Sequence, residues 1–543
     1  MAEHGLEFDL IDDPWIPTLD SGGRLGEGSL REVLHRAHDL ASITGEVPTQ
    51  GFAILRLLLA VLRRSIKDRT GSPAATWGQL WQDSALPTGE IDKYLEQHRA
   101  RFQLFDPQTP FFQVAGLRSD KDAVSSLDRL IADVPNGEKY FTTRAGASID
   151  RIAPGEAARW VVHAHSFDPS GIKTGAVGDR RVKGGKGYPI GVAWTGNLGG
   201  VFLEGANLRE TLLLNLVLCD INEEPFSDND LPAWEREPDG PAVVAGRTPT
   251  GPADLCTWQS RRIRLVHNGS DVTGVVLCNG DALEPFNWQN LEPMTGWRYS
   301  KIQSAKAGQP RHYPITHDPE RALWRGFTSL IRQIHTSGST IDRPIAPALL
   351  EWACYLLDHA ALAEDHPIRL HAVGMQYINN QSVVGEIIDD SLGFRAALLA
   401  ADPEVRIAAL GAVDLADGAV DALGSLATNL VLAAGGVPDG ARSRAREDGY
   451  FALEWHFRAW LSALQPGRDI EAAGHEWQRR VRSVLESAGD DLISWAGRPA
   501  RLGRLVDGKQ LDAGLAANWF GGRLRKLLPA AYPRRADDEG NAA

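Results

Sequence analysis

Cysteine is scarce. The chain has four in 543 residues, Cys219, Cys256, Cys278 and Cys354, and no two form a CxxC pair. That spacing excludes a paired-cysteine zinc site and predicts four reduced, mostly buried thiols. Long apolar runs are also missing. The longest, Phe52 to Leu62, is 11 residues and is interrupted by Arg56. It is too short to span a bilayer and is expected to be a core helix. The opening MAEHGLEFDLIDD is acidic and polar rather than signal-like, so a cytoplasmic protein without a membrane partner is expected. Positive charge is in deficit, with a formal net charge of −13. A free-standing nucleic-acid binder usually presents a basic surface. Any binding here therefore needs a local basic patch or a partner that supplies phosphate contacts.

Large rigid side chains are plentiful, with 16 Trp against 3 Met, which favours a firm core and strong interfaces. The length allows two to four domains. Residues 48–67 carry a Pro-Thr entry and apolar spacing through Ile54, Leu57, Leu58, Val61 and Leu62, predicting a helix; 91–102 and 207–218 predict two more. Residues 117–200 lack a clear pattern, and long patternless segments are usually functional or disordered. Residues 255–315 predict β structure, with RIRLV, VTGVVLC and YSKIQS divided by Asn-Gly turns at 268–269 and 279–280. Residues 320–336 and 345–363 predict helices. Past 386, helical patterns near 388–402, 405–435, 442–464, 468–496 and 509–528 suit an antiparallel four-helix bundle. The fold class is thus α+β: a mixed α/β domain over 1–385 and a helical bundle over 386–543.

Catalytic signatures are weak. His317-Asp318 is a dipeptide found in metal phosphohydrolases, with Asp358-His359 and Asp365-His366 in reverse order. His163 and His165, placed on one strand, would share a face and offer two metal ligands. A metal-dependent phosphohydrolase using His163, His165, His317 and Asp318 is the enzymatic alternative. KGGKGYP is not a phosphate-binding Walker loop, because Gly187 rather than Ser or Thr follows Lys186. No catalytic residue, metal or cofactor is assigned.

Two loops remain. Seven glycines fall from Gly171 to Gly191, with Arg180, Arg181, Lys183 and Lys186 among them. Glycine permits close backbone approach and the cations suit phosphates, although a solvated surface loop has the same composition. The second loop is GMQYINNQSVVG, from Gly374 to Gly385, with Asn379, Asn380 and Gln381 in succession. These amides either shape a turn or present an uncharged hydrogen-bonding tip.

Five stretches in order resemble the CasA family, the large subunit of the type I-E CRISPR surveillance complex Cascade. They are FDLIDDPWIP (Phe8–Pro17), PFFQV (Pro110–Val114), NLRETLLLNLV (Asn207–Val217), LCTWQSRRIRL (Leu255–Leu265) and Asn379-Asn380-Gln381. The resemblance implies a non-enzymatic subunit that scans double-stranded target DNA for a short protospacer-adjacent motif, PAM, and starts strand separation. It implies further partners: the guide RNA 5′ end, the other backbone and small subunits, and a helicase-nuclease. Gln381 would be a wedge at the motif, flanked by Asn380 and Ser382. Uncharged amides suit the minor groove, whose pattern mainly separates A·T from G·C.

The resemblance also implies a loop reaching the motif and the guide, matched by Phe141, Thr142 and Thr143, with Thr143 where some relatives carry Asn. A glycine loop facing the groove is matched by Gly171 and Gly175. The lysine finger of some relatives has no lysine to match in 270–300, leaving Arg298 or Lys301 as substitutes. Arg523, Arg525 and Lys526 would contact a DNA strand from the terminal helix, or else they are a solvated helix end complementing its dipole.

Overall fold

The computed structural model describes residues 6–134, 144, 147–331, 343–400 and 403–532. It divides into two compact units. The first comprises residues up to Leu323 with Gln333–Leu362 and Pro367–Ser391; the second comprises Leu392 onward with Trp324–Arg332 and Ala363–His366. None of the described helices is long and apolar enough to cross a membrane.

The first unit is organised around two buried helices. Pro48–Ser65 starts on a proline at the position where a missing N–H is harmless, and buries almost every side chain from Phe52 to Leu62. Arg56, the interruption in the apolar run, is buried too. Its guanidinium meets the Glu292 carboxylate at 2.8 and 2.7 Å. The second helix, Pro154–Phe167, also begins on proline, packs on the first, and stops at Asp168-Pro169. Around them lie small sheets. Leu25–Gly28, Ile16–Asp20 and Leu40–Ile43 form one, in that order. Val383–Arg395, Pro367–Ile378 and Gly200–Glu204 form another, with Pro367–Ile378 central.

Arg261–His267 and Val272–Asn279 pair as the hairpin expected across Asn268-Gly269. Gly269 takes a positive φ of 101°, and the Asn268 side chain accepts from the amides of Ser270 and Asp271. Two neighbouring expectations fail. Asn279-Gly280 ends a strand without forming a hairpin turn, because the Gly280 amide turns back to the Ser260 carbonyl. YSKIQS is not a strand; Ser300 caps the helix Lys301–Ala307, accepting from the Gln303 amide.

The second unit contains an antiparallel four-helix bundle: Pro403–Ala434, Ala441–Ser462, Ile470–Trp495 and Ala513–Leu527. Trp324, Phe457, Trp460 and Trp477 make its aromatic centre, with Trp324 stacked on Phe457 at 4.9 Å. Trp460 and Trp477 donate their indole N–H groups to the Ala473 and Ala412 carbonyls, both at 2.9 Å. Asp469 and Asp512 cap the third and fourth helices. The helix expected over 388–402 is instead largely the strand Val383–Arg395. Its β-branched residues Val383, Val384, Ile387 and Ile388 are held by pairing with Pro367–Ile378, and that non-local pairing overrides the local pattern.

Candidate nucleic-acid interface

The amide loop is the tip of the hairpin between strands Pro367–Ile378 and Val383–Arg395. Asn379, Asn380 and Gln381 all adopt left-handed backbone, with φ of 51°, 58° and 65°, and all are exposed. Asn tolerates that region, whereas Gln has no special liking for it. Ser382 closes the turn. Its amide donates to the Ile378 carbonyl at 3.1 Å and its hydroxyl to the Asn379 carbonyl at 2.7 Å.

The tip is mounted from below. The Ser170 amide donates to the Gln381 carbonyl at 2.9 Å. Ser170 belongs to the Asp168–Gly171 turn, so the glycine segment and the amide tip are directly joined. Gly171 has a φ of 145°. Arg261, fully buried at the start of its strand, clamps this turn: its Nη2 donates to the carbonyls of Asp168 and Pro169 at 2.9 and 3.2 Å. Its Nε and the Lys173 ammonium reach the Asp168 carboxylate at 2.5 and 2.6 Å. Burial works to raise the Asp168 carboxyl, but Lys173 and Arg261 outweigh it and hold it below the ordinary carboxylate range. Tyr377, on the arm leading to the tip, donates to the Phe167 carbonyl at 2.6 Å. A cavity of about 370 Å³ opens beneath the tip, lined in part by Arg129, Ser170, Gly171, Lys173 and Ser382.

The basic part of the glycine segment is a second small hairpin. Lys173–Thr174 pairs with Lys186–Gly187. Gly184 and Gly185, with φ of 58° and 71°, make the two-residue turn between Lys183 and Lys186. Gly175 is required for a different reason. A Cβ there would lie 2.5 Å from Val182 Cγ1 and 2.8 Å from the Gly185 carbonyl carbon. Arg180, Arg181, Lys183 and Lys186 are all exposed, and Arg181 leans on Asp179 at 3.3 Å. Phe141, Thr142 and Thr143 lie outside the described residues. Arg144 beside them is held by Glu156 at 2.6 Å, Glu46 at 3.0 Å and Asp133 at 3.4 Å.

In the second unit, Arg523 is already committed. It reaches Asp421 at 2.8 Å and the Ser425 hydroxyl at 3.2 Å. Arg525 lies 5.7 Å from the Tyr532 ring centre, and both Arg525 and Lys526 are exposed in the last turn of their helix. Arg298 and Lys301 are exposed as well.

The metal alternative does not assemble. His163 and His165 sit on the helix Pro154–Phe167, not a strand, so residues two apart point to different sides. His163 Nε2 bonds to the Thr49 hydroxyl at 2.9 Å, and His165 Nε2 to the Phe112 carbonyl at 2.8 Å. His317 Nε2 is 2.9 Å from the Gly200 carbonyl, and Asp318 accepts from the Glu320 amide. Burial drives His163 down to about 3 and His165 to about 4, and lowers His317. Among the described residues no three His, Cys, Asp or Glu side chains are grouped to hold a metal ion. Three cysteines are buried and Cys256 is partly so, and none of the four forms a disulfide.

The sequence model of one protein family, described as CRISPR-associated protein Cse1, matches residues 9–488. The chain belongs to the Cse1 family. Among solved structures, Thermobifida fusca Cse1 is 43% identical with a TM-score of 0.88, and the match covers 97% of this chain and 99% of that one. Cse1 from Acidimicrobium ferrooxidans is 29% identical with a TM-score of 0.80 over 97% and 98%. A curated CasA/Cse1 protein of Thermus thermophilus is 32% identical over 334 residues, a segment spanning 60% of either chain. A chain of a CRISPR RNA-guided surveillance complex has the same fold, with 19% identity, a TM-score of 0.62, and coverage of 90% and 100%.

Arg261, Ser170 and Tyr377 were not singled out as site residues from the sequence. Arginine pairs in an otherwise apolar strand, RRIRL, were the available signal for the clamp. Nothing local marks Ser170, whose contribution is a backbone amide.

Proposed function

We propose that this Cse1-family chain is the duplex-scanning subunit of a type I-E RNA-guided surveillance complex in the cytoplasm. It reads a short motif beside the target and begins strand separation at Asn380, Gln381 and Ser382, with no catalysis of its own. The observation that carries this reading is the tip itself: three successive exposed amides, in left-handed backbone, fixed at the Gln381 carbonyl by the Ser170 amide. An uncharged tip can donate and accept at base edges without binding every phosphate equally.

Opening a base step costs a few kcal/mol. A guide RNA pairing with the freed strand approximately replaces the lost DNA pairing, so the wedge chiefly lowers the initial barrier. Gly171 brings backbone close to the groove, while Arg180, Arg181, Lys183 and Lys186 take phosphates. Gly175, expected to act as Gly171 does, is buried and instead lets the basic hairpin close on itself. Phe141, Thr142 and Thr143 reach the motif and the guide 5′ end. Arg298 or Lys301 stands in for the missing lysine finger. Arg525 and Lys526 contact a strand from the bundle, with Arg523 bound to Asp421 until displaced. The backbone and small subunits supply most of the positive charge that this acidic chain lacks, and a helicase-nuclease is recruited for cutting.

The test is binding of the reconstituted complex to duplexes with varied bases beside the target, with and without Gln381→Ala. A marked loss of target binding and strand opening is expected. Motif choice and opening indifferent to that change would overturn the assignment.

A further inference from the structure

Residues 495–511, WAGRPARLGRLVDGKQL, join the third and fourth helices of the bundle. Helix connections in bundles are commonly a few residues long. This one instead builds a short helix, Arg498–Leu502, and a hairpin of Arg504–Val506 with Lys509–Leu511. The hairpin is well specified. Asp507 and Gly508 both take positive φ, 49° and 77°, as its two-residue turn requires. Gly503 has a φ of 70°, and a Cβ there would collide with the Leu511 carbonyl. Underneath, Ala500 and Leu511 bury against Ala433, with Leu432, Ala496 and Val506 packed around them.

The exposed side chains of the insert have a different chemistry. Trp495 is 87% exposed, and Leu502 and Leu505 are each 68% exposed. Arg498, Arg501, Arg504 and Lys509 are exposed as well, against a single carboxylate within the segment, Asp507. Asp512 just beyond it is occupied in capping the next helix, accepting from the Leu515 amide at 2.8 Å. Arg501 donates to the Ser494 carbonyl at 3.2 Å, which sets its guanidinium beside the Trp495 backbone. Arg504 lies against Gly435, at the C-terminal end of Pro403–Ala434, where it complements the helix dipole. Arg498 and Lys509 make no ion pair among the described residues.

An uncovered indole in a short segment rich in exposed cations calls for a polyanion with planar apolar faces. Duplex DNA offers the charge but keeps its base faces stacked inside. An unpaired strand offers both, and base–aromatic stacking plus phosphate contacts is how such strands are held. We propose that this hairpin insert is a binding site for single-stranded DNA, with Trp495 as the stacking platform and Arg498, Arg501 and Lys509 on the phosphates. The choice of DNA over RNA rests on the function proposed above, because strand opening is what releases an unpaired DNA strand.

The experiment is fluorescence anisotropy of the full-length chain with a labelled oligothymidylate of about 20 nucleotides, a matched blunt duplex and an oligouridylate. Trp495→Ala is expected to weaken oligothymidylate binding about tenfold while changing duplex binding by less than about twofold. Arg498→Ala and Lys509→Ala should each flatten the logarithmic salt dependence by about 0.7. All three side chains are exposed, and an unchanged melting temperature would show that the fold is intact. Gln381→Ala should leave oligothymidylate affinity untouched, so failure of the wedge and failure of this site are read separately. Unchanged oligothymidylate affinity in Trp495→Ala would overturn the proposal and leave the insert a protein-docking knob. Equal losses on single strand and duplex, or a clear preference for oligouridylate, would overturn it too.

Discussion

The Ser170 amide donates a 2.9 Å hydrogen bond to the Gln381 carbonyl, tying the glycine segment to the tip of the amide hairpin. Gln381 is exposed, so water can replace this bond at little cost in stability. What it fixes is direction, because a left-handed glutamine has no intrinsic reason to hold its position. Ser170→Pro removes the donor while leaving the tip's side chains unchanged. Stability should fall by only about 1 kcal/mol. Duplex opening by the assembled complex should drop toward that of Gln381→Ala. A fluorescent base analogue at the first target step would report it, and opening equal to wild type would refute the mounting argument.

The other support is Tyr377, whose hydroxyl donates to the Phe167 carbonyl at 2.6 Å. Gly196 faces that hydroxyl, and a Cβ there would run into it. Gly196→Ala should therefore destabilise the first unit by about 1–3 kcal/mol through overpacking. A urea denaturation series would show the lowered midpoint. A midpoint equal to wild type would mean that Tyr377 moves aside freely and does not brace the hairpin.

The buried pair Arg56–Glu292 yields a prediction about the core. Trp194 also donates to Glu292, at 3.1 Å, and so does the Met294 amide, at 3.2 Å. Removing the carboxylate strands a buried guanidinium and two further donors. Glu292→Ala should cost about 3–5 kcal/mol. Replacing both partners, Arg56→Met with Glu292→Leu, should recover part of that loss. It should not recover all of it, because Trp194 and Met294 still lack an acceptor. Calorimetric melting of the three variants would test the ranking.

Much of this was legible in the sequence where structure is local. The helix at Pro48–Ser65 shows in its spacing and its proline, and the bundle helices show in their apolar stripes. The strand Val383–Arg395 did not show, because its conformation comes from pairing with Pro367–Ile378 rather than from its own pattern. At the candidate site, the amide tip was visible as a run of like residues. Its anchor was not, since Ser170 and Gln381 are far apart in sequence and meet through backbone atoms that every residue carries. The histidines misled for a related reason: a two-residue spacing means a shared face only on a strand, and Pro154 starts a helix there.

That correction predicts indifference to metals. His163, His165 and His317 each spend a ring nitrogen on a separate partner, Thr49, Phe112 and Gly200. Millimolar manganese or zinc chelation should leave the melting temperature of the chain unchanged, and manganese should not induce cleavage of DNA. His317→Ala should alter stability alone. Metal-stimulated cleavage abolished by that substitution would restore the enzymatic alternative.

The same two helix histidines predict how stability responds to acid. Both are kept neutral by burial, at about 3 for His163 and about 4 for His165, against an ordinary value of 6.5. Between those limits the unfolded chain binds protons that the folded chain refuses. Stability therefore rises with pH in that window and is fully present only above about 6.5. By pH 5 each histidine should have removed about 2 kcal/mol. Carboxylates held low by cations, such as Asp168, add their loss only further down the scale. The measurement is the denaturant midpoint at pH 7, 6 and 5 for wild type and for His163→Gln. The variant should start less stable, having a poorer fit beside Thr49, yet lose less on acidification by about one proton's worth of slope. An equal slope in both would show that His163 takes up its proton without unfolding, which its burial against Thr49, Trp160 and Phe167 argues against.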